Sequence, residues 1–321
     1  MLKILLVTFP FFALVLCGYG AARRRLLPLD AIPGLNSFVL FFALPCMLYR
    51  FGSTTPVAQL FDGGVFLTWL LCALVIVVFT LAVSKNQRIR WNDASFGALV
   101  AAFPNTGFMG VPLLVALLGP AAAGTTILTM AVDMLFTSSL CIALSRLDGA
   151  DEHGFAHAAH NALKGMLFNP MPWAIVLGGL ASALSFTLPK PLMQTVGLLA
   201  DAASPVALFT IGAVLARSQM LASASHHPPI LLRDVLPVAA IKLLLHPLLV
   251  LAVGSGLVAL GLPLSPFALT VMVLAAALPS ASNVSLLAER FGADNGRIAR
   301  IILLSTSAAF VTFSLAVSGL I

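Results

Sequence analysis

Charge is scarce in this chain. Asp, Glu, Lys and Arg make up 9% of its 321 residues, against roughly 25% in an ordinary soluble domain. A soluble barrel or repeat array of this length needs far more surface charge, so those classes are excluded. Cysteine is rare too. Cys17, Cys46, Cys72 and Cys141 all fall in apolar runs, without metal-ligand spacing or a disulfide framework, and read as packing residues. There is no Gly-rich phosphate loop ending in Lys-Ser/Thr, no HExxH and no GxSxG. That argues against an ATP-driven pump, and no nucleophile–base pair supports an enzyme. The net charge of +6 sits in short loops between apolar runs, so membrane topology explains it and nucleic acid is not an expected partner.

What the chain has in abundance is apolar sequence, 60% of it. Its length accommodates about ten spans of ~20 residues, which predicts an all-α integral membrane protein. The spans are expected near Ile4–Ala22, Ile32–Tyr49, Gly64–Val83, Ala94–Leu118, Gly124–Leu144, Met166–Phe186, Leu192–Ala216, Leu236–Leu260, Pro266–Glu289 and Ile298–Leu320. Arg23, Arg24 and Arg25 follow the first run rather than lead it, the wrong order for a cleaved signal peptide. The first run is therefore expected to stay as a span. Of the 17 Lys and Arg residues, thirteen lie in the loops after spans 1, 3, 5, 7 and 9, against Lys3, Arg50 and Lys190 on the other side and Lys242 within a span. The positive-inside rule makes the richer side cytoplasmic and puts both termini outside.

Two spans carry helix breakers in mid-run. LVAAFPNTGFMGVPLLVALL contains Pro104, Asn105, Thr106, Gly107, Gly110 and Pro112; LTVMVLAAALPSASNVSLLAE contains Pro279, Ser280, Ser282 and Asn283. A proline removes a backbone hydrogen bond and clashes with the preceding turn. A carbonyl freed in hydrocarbon is tolerated only against protein or a water-filled cavity. Each span is therefore expected to be two half-helices meeting at a polar break. The breaks occupy the fourth place in each set of five spans, and aligning Pro104 with Pro279 sets AAFPNTG over AALPSAS, with Gly119 and Gly292 closing the two segments. Five spans is an odd number, so the second copy must be inverted. The expected organisation is a first repeat over 1–146, a short cytoplasmic linker over 147–164 and a second repeat over 165–321, with scaffold and transport parts built from both. Paired interrupted helices of this kind point to a transporter binding site.

FPNTGFMGVPLL resembles the fourth-span signature of the auxin efflux carrier family, which includes bacterial malonate-type permeases and plant auxin exporters. GYGAARR, LNSFVLFFALPCMLY, SPVALFTIGAVLA, KLLLHPLL and AALPSASN fit the same family, so the resemblance runs from about Leu5 to Ala316. It implies a five-plus-five inverted repeat in which spans 4 and 9 cross at their prolines, as in bile-acid and sodium/proton transporters. An elevator-like movement of a transport domain, and a homodimer, are implied in the same way. The long cytosolic loop of many plant members is absent, and SASN follows Pro279, which argues against auxin as the substrate.

The half-helix that begins after each break presents an N-terminus with free N–H groups, a site for a carboxylate. Pro104, Asn105, Thr106, Pro279, Ser280, Ser282 and Asn283 are the expected substrate contacts, with Asn105 foremost by resemblance. Asp133, Asp201, Lys242 and His246 are ionisable groups in or near the membrane, and such groups are functional hypotheses by default. Lys242 and His246 are four apart, on one helix face. One reading has Lys242 lend positive field to the site while a carboxylate takes a coupling proton; the other is a static Lys–Asp pair in the scaffold. His153, His157 and His160 beside Asp151 and Glu152 have a helical spacing but read as a solvated face, as does His226-His227, so no metal or other cofactor is expected. The resulting expectation is a secondary transporter of small mono- or dicarboxylates such as malonate or malate in a bacterial cytoplasmic membrane. The driving force is membrane potential or a proton, in preference to sodium. A cation/proton antiporter would want acids beside the breaks, and positions 104–112 and 279–287 contain none. A receptor or sensor would be expected to carry a soluble signalling domain.

Overall fold

Without water to bond the backbone, long apolar segments close their hydrogen bonds internally as helices. The structure, a computed structural model, describes residues 2–56, 62–86, 88–146, 170–224 and 231–320. The linker over 147–164 with its acids and histidines, and the His226-His227 pair, lie outside the described residues. The described helices are α1 (Leu2–Arg23), α2 (Leu29–Thr54), α3 (Gly63–Ser84), α4 (Trp91–Ala102), α5 (Thr106–Leu118), α6 (Ala122–Ser145), α7 (Pro170–Ala183), α8 (Lys190–Ala224), α9 (Leu236–Ala259), α10 (Pro266–Ala277), α11 (Asn283–Arg290) and α12 (Asn295–Leu320). Six of them, α2, α3, α6, α8, α9 and α12, are long and apolar enough to cross a membrane, and Phe9–Arg23, Thr106–Leu118, Trp173–Ala183 and Pro266–Ala277 are shorter apolar helices.

Prolines shape several of these helices. The turns Val39–Ala43, Thr106–Gly110 and Ile241–Leu245 widen to the i→i+5 pattern, and each ends two residues before a proline: Pro45, Pro112 and Pro247. A proline ring crowds the carbonyl four residues back and offers that carbonyl no donor. The wider turn re-bonds the ladder around that gap. Gly119 and Gly292, which end α5 and α11, both take positive φ (88° and 69°), the left-handed stop that glycine adopts without a Cβ clash.

The helices form two compact units, each drawn from both halves of the sequence. The first comprises 1–62, 106–128 and 169–226; the second comprises 63–105, 129–168 and 227–321.

In the first unit α1 packs along α8, α2 packs on α7 and α8, and α5 touches α1 and α8. The α1–α8 pair is set by Gly18 and Gly212. A Cβ on Gly18 would collide with the Phe209 carbonyl, and one on Gly212 with the Val15 carbonyl, so only glycine admits this backbone approach. Tyr19 Oη donates to Gln219 Oε1 (2.6 Å), and Ser182 Oγ to the Thr55 carbonyl (2.7 Å).

In the second unit α3 lies against α4 and α9, α4 against α6, and α9 against α10, while α12 contacts α9, α10 and α11. Ser265 caps α10, its Oγ accepting from Ala268 N (3.0 Å). Asp294 caps α12, accepting from Arg297 N (2.9 Å). Both follow the side-chain-to-N3 pattern that satisfies an orphan donor. Trp69, Phe96 and Phe313 are the largest apolar side chains fully buried in this unit.

Candidate functional site

The helix of the first broken segment stops at Ala102 and that of the second at Ala277; the chain resumes helix at Thr106 and Asn283. Between them the two breaks lie antiparallel. Asn105 N donates to the Pro279 carbonyl (2.8 Å) and Ala281 N to the Phe103 carbonyl (3.0 Å), framing a single β-bridge between Pro104 and Ser280. In an antiparallel pair the directly opposed residues alternate between those that exchange hydrogen bonds and those that do not. Pro104 occupies the second kind of slot, where its missing N–H costs nothing. Each proline lies opposite the residue that follows the other.

This short ladder lies within the second unit and is buried. Asn105 is 4% exposed, Ser280 1% and Ser282 8%, while Asn283 is half-buried at the start of α11. Ser280 N donates to Ser305 Oγ of α12 (3.2 Å), and that hydroxyl donates to the Ile302 carbonyl (3.0 Å). Ser280 Oγ is buried without a hydrogen-bond partner. Thr106, the first residue of α5, is fully buried and belongs to the first unit.

The ionisable candidates separate. Asp201 belongs to the first unit, where its carboxylate bonds Arg50 Nη1 at 2.7 Å, with side-chain exposures of 70% for Asp201 and 29% for Arg50. Asp133, Lys242 and His246 are fully buried in the second unit. Lys242 Nζ donates to the Ala276 carbonyl at 2.7 Å and lies 3.1 Å from His246 Nδ1. That carbonyl is in the last turn of α10, where backbone acceptors lack intrahelical partners and the helix dipole favours a cation. Lys242 therefore caps the end of the half-helix that leads into Pro279. It also lies within electrostatic reach of Asp133, whose Oδ1 accepts from Thr137 Oγ1 (3.0 Å). The Trp69 indole sits beside Asp133, yet neither Trp69 Nε1 nor Asp133 Oδ2 closes a hydrogen bond. Trp69 also stacks obliquely on His246, with ring centroids 5.4 Å apart.

Two buried positions that hold the second unit together escape sequence reasoning. Arg297 enters the loop charge count as an ordinary base, but at the start of α12 it is buried. Its Nη1 donates to the Asp93 carbonyl (2.9 Å) and its Nε to the Asp234 carbonyl (3.0 Å). It lies over Gly97 of α4, whose missing side chain leaves room for the guanidinium. Asp93 Oδ1 in turn accepts from Asp294 N (2.7 Å), so one cation ties the starts of α4, α9 and α12 together. The Asp294–Arg297 capping spacing was the available signal. For Ser305, one serine among several in an apolar helix, there was none. Among the described residues no group of three or more His, Cys, Asp or Glu side chains is placed to hold a metal ion.

The family model described as "Membrane transport protein" matches residues 4–317. A Rhizobium meliloti (strain 1021) protein named "Putative malonate transporter" is 30% identical over 306 residues, covering 94% of this chain and 91% of that one. "Uncharacterized transporter YfdV" of Escherichia coli (strain K12) is 29% identical over 292 residues, 88% of this chain and 86% of its own. "Auxin efflux carrier component 4" of Arabidopsis thaliana is 27% identical over 150 residues, 46% of this chain and 24% of that one. With a match over nearly its whole length and six helices able to span a bilayer, the chain is an integral membrane protein that belongs to the membrane transport protein family of the auxin efflux carriers.

Proposed function

We propose that this protein is a secondary transporter of small organic anions, mono- or dicarboxylates such as malonate or malate, and that the substrate binds where the two breaks pair. The observation that carries this reading is the Pro104–Ser280 bridge. It brings together two interrupted segments at corresponding places in the two halves of the chain, as transporter sites built from broken helices require. The backbone N–H of Asn105 is used in the bridge, and its side-chain amide is the group assigned to the ligand. Ser280 Oγ, buried without a partner, is a second donor, and Ser282 and Asn283 complete the set within the second unit. α11 begins directly after the second break, and a helix start carries about half a positive charge. No acid lies in 104–112 or 279–287, which favours an anion over a metal cation as cargo. The name of the Rhizobium meliloti relative supports a dicarboxylate.

In this reading the chain forms ten spans in a five-plus-five inverted repeat, with the fourth and ninth crossing at their prolines and both termini outside a bacterial cytoplasmic membrane. The second unit is the transport domain and moves the bound anion by an elevator-type alternation, while the first is the scaffold. Two copies pair as a homodimer. A proton or the membrane potential drives the cycle, in preference to sodium.

The test is uptake of labelled malonate, malate, lactate and an aromatic auxin-like acid into proteoliposomes, with and without a proton gradient. Saturable carboxylate uptake that collapses in Asn105→Ala is expected. A pH gradient dissipated by added sodium, with no carboxylate moving, would replace this reading with cation/proton antiport.

A further inference from the structure

Among the described residues a fourth widened turn, Asp133–Thr137 in α6, has no proline after it. Ser138 follows instead, and its Oγ bonds the Asp133 carbonyl (2.9 Å). The turn therefore begins at a fully buried carboxylate rather than at a helix breaker. Turns of this kind recur at functional sites. The carboxylate is half satisfied: Oδ1 accepts from Thr137, while Oδ2 is unpartnered. Beyond it lies a run of neighbours with their own unpartnered atoms: Trp69 Nε1, and His246 Nε2 on the ring that touches Trp69. The run ends at Lys242, which joins His246 Nδ1 to the Ala276 carbonyl. Buried polar atoms without partners are rare and call for a reason.

Among the described residues the charges around this run are few. α6 contributes Asp133 and Cys141, α9 contributes Lys242 and His246, and α3 contributes Cys72, whose thiol faces the Leu249 carbonyl at 4.0 Å. α10 brings no charged side chain. Asp93 of α4 bonds Asp294 N, and Arg297 of α12 bonds the backbone at Asp93 and Asp234. Asp133 is thus the acid within electrostatic reach of Lys242.

We propose that Asp133 takes up the coupling proton and that Lys242 carries the resulting charge change to the substrate site. This rests on reading the second unit as an organic-anion carrier. In the empty carrier the Asp133 carboxylate and the Lys242 ammonium cancel. A hydronium ion gives one proton to Asp133 Oδ2: an O–H bond of the hydronium breaks, water leaves, and the new O–H bond makes a neutral carboxylic acid, while Lys242 keeps its protons. One positive charge is then unbalanced, held on the Ala276 carbonyl three residues before Pro279. A substrate carboxylate at the breaks cancels it. A net buried charge is costly in a membrane, so two forms of the unit cross readily: empty and deprotonated, or loaded with one proton and a substrate of one negative charge, which for malonate is the hydrogen malonate monoanion. Proton and anion then travel in the same direction. His246 is a positioning residue: its Nδ1 accepts from Lys242, which places the ring proton on Nε2 and fixes the ammonium on the half-helix end.

Two arms test this on the full-length protein. Trp91→Phe with Trp173→Phe leaves Trp69 as the one tryptophan of the original three. Its emission is followed from acid to alkaline pH with no substrate present. The expected result is a single transition that Asp133→Asn removes and Asp133→Glu restores at a shifted pH; flat emission, or a transition indifferent to Asp133→Asn, overturns the proposal. In proteoliposomes, malonate exchange is compared with net uptake driven by a proton gradient. Asp133→Asn is expected to lower net uptake by about ten-fold or more while exchange continues without pH dependence. Proton-driven uptake that survives Asp133→Asn overturns the coupling. A wild type that exchanges no carboxylate refutes the substrate reading instead, and the emission arm then decides the role of Asp133.

Discussion

The two units solve the problem of polarity in a membrane differently. In the first, the buried polar side chains among the described residues are all threonines: Thr55, Thr106, Thr125, Thr126 and Thr210. Its ion pair, Arg50–Asp201, stands at the surface. It is held by close backbone contact, α1 on α8 through Gly18 and Gly212. The second unit buries Asp133, Lys242, His246 and Arg297 together with Asn105 and a run of serines. A charge at mid-membrane costs about 2.5–3.5 kcal/mol on insertion scales, so such a core is kept only where it does something apolar packing cannot. Threonine hydroxyls, by contrast, return to their own helix, as Thr126 Oγ1 does to the Ala122 carbonyl (2.7 Å) and Thr210 Oγ1 to the Val206 carbonyl (2.6 Å). A unit built that way can stay rigid and chemically inert.

Damage to the two units should therefore differ in kind. The largest effect is expected from Arg297→Met, which removes the cation joining the starts of α4, α9 and α12. Breaking a buried charged network costs on the order of 3 kcal/mol, to be read as a fall in thermal midpoint in detergent. Asn105→Ala comes next and should act on function alone. Loss of a hydrogen bond to a charged ligand, about 1.5–3 kcal/mol, lowers uptake by about 10–100-fold with the thermal midpoint held. Gly212→Val should do the reverse in the first unit, lowering stability by about 1–3 kcal/mol through overpacking against Val15. Ser305→Ala leaves Ser280 N–H without its acceptor and should raise the substrate concentration for half-maximal uptake several-fold, about 1 kcal/mol. Arg50→Ala, at a solvated ion pair, should change stability by about 0–1 kcal/mol and leave uptake intact. An Arg50→Ala effect as large as that of Arg297→Met would erase the distinction.

The legibility of these features follows their chemistry. Pro104 and Pro279 mark where helix stops, because the missing donor is a property of the residue itself. The widened turns before Pro45, Pro112 and Pro247 follow from the same cause. Lys242 and His246 share a face because of their spacing, and they meet at 3.1 Å. The partners are less legible. The carbonyl that Lys242 binds belongs to Ala276, and any residue has a carbonyl, so the choice between a Lys–Asp pair and a helix-end cap depends on packing between α9 and α10. Asp201 carries the same charge as Asp133, but only the fold shows that one is exposed beside Arg50 and the other enclosed by Trp69 and Thr137. Arg297 reads as a loop base because a single cation next to Asn295-Gly296 resembles any interhelical turn. Its burial needs Gly97, two hundred residues earlier in the chain, to leave the space.

The most direct test of the central claim, that the paired breaks hold the anion, is equilibrium binding of labelled malonate to the purified protein in detergent. Wild type, Asn105→Ala and Arg50→Ala would be compared side by side. The account predicts saturable binding in wild type and Arg50→Ala, and a loss of about ten-fold or more in affinity in Asn105→Ala. Saturable binding that Asn105→Ala leaves unchanged would place the substrate elsewhere and contradict it.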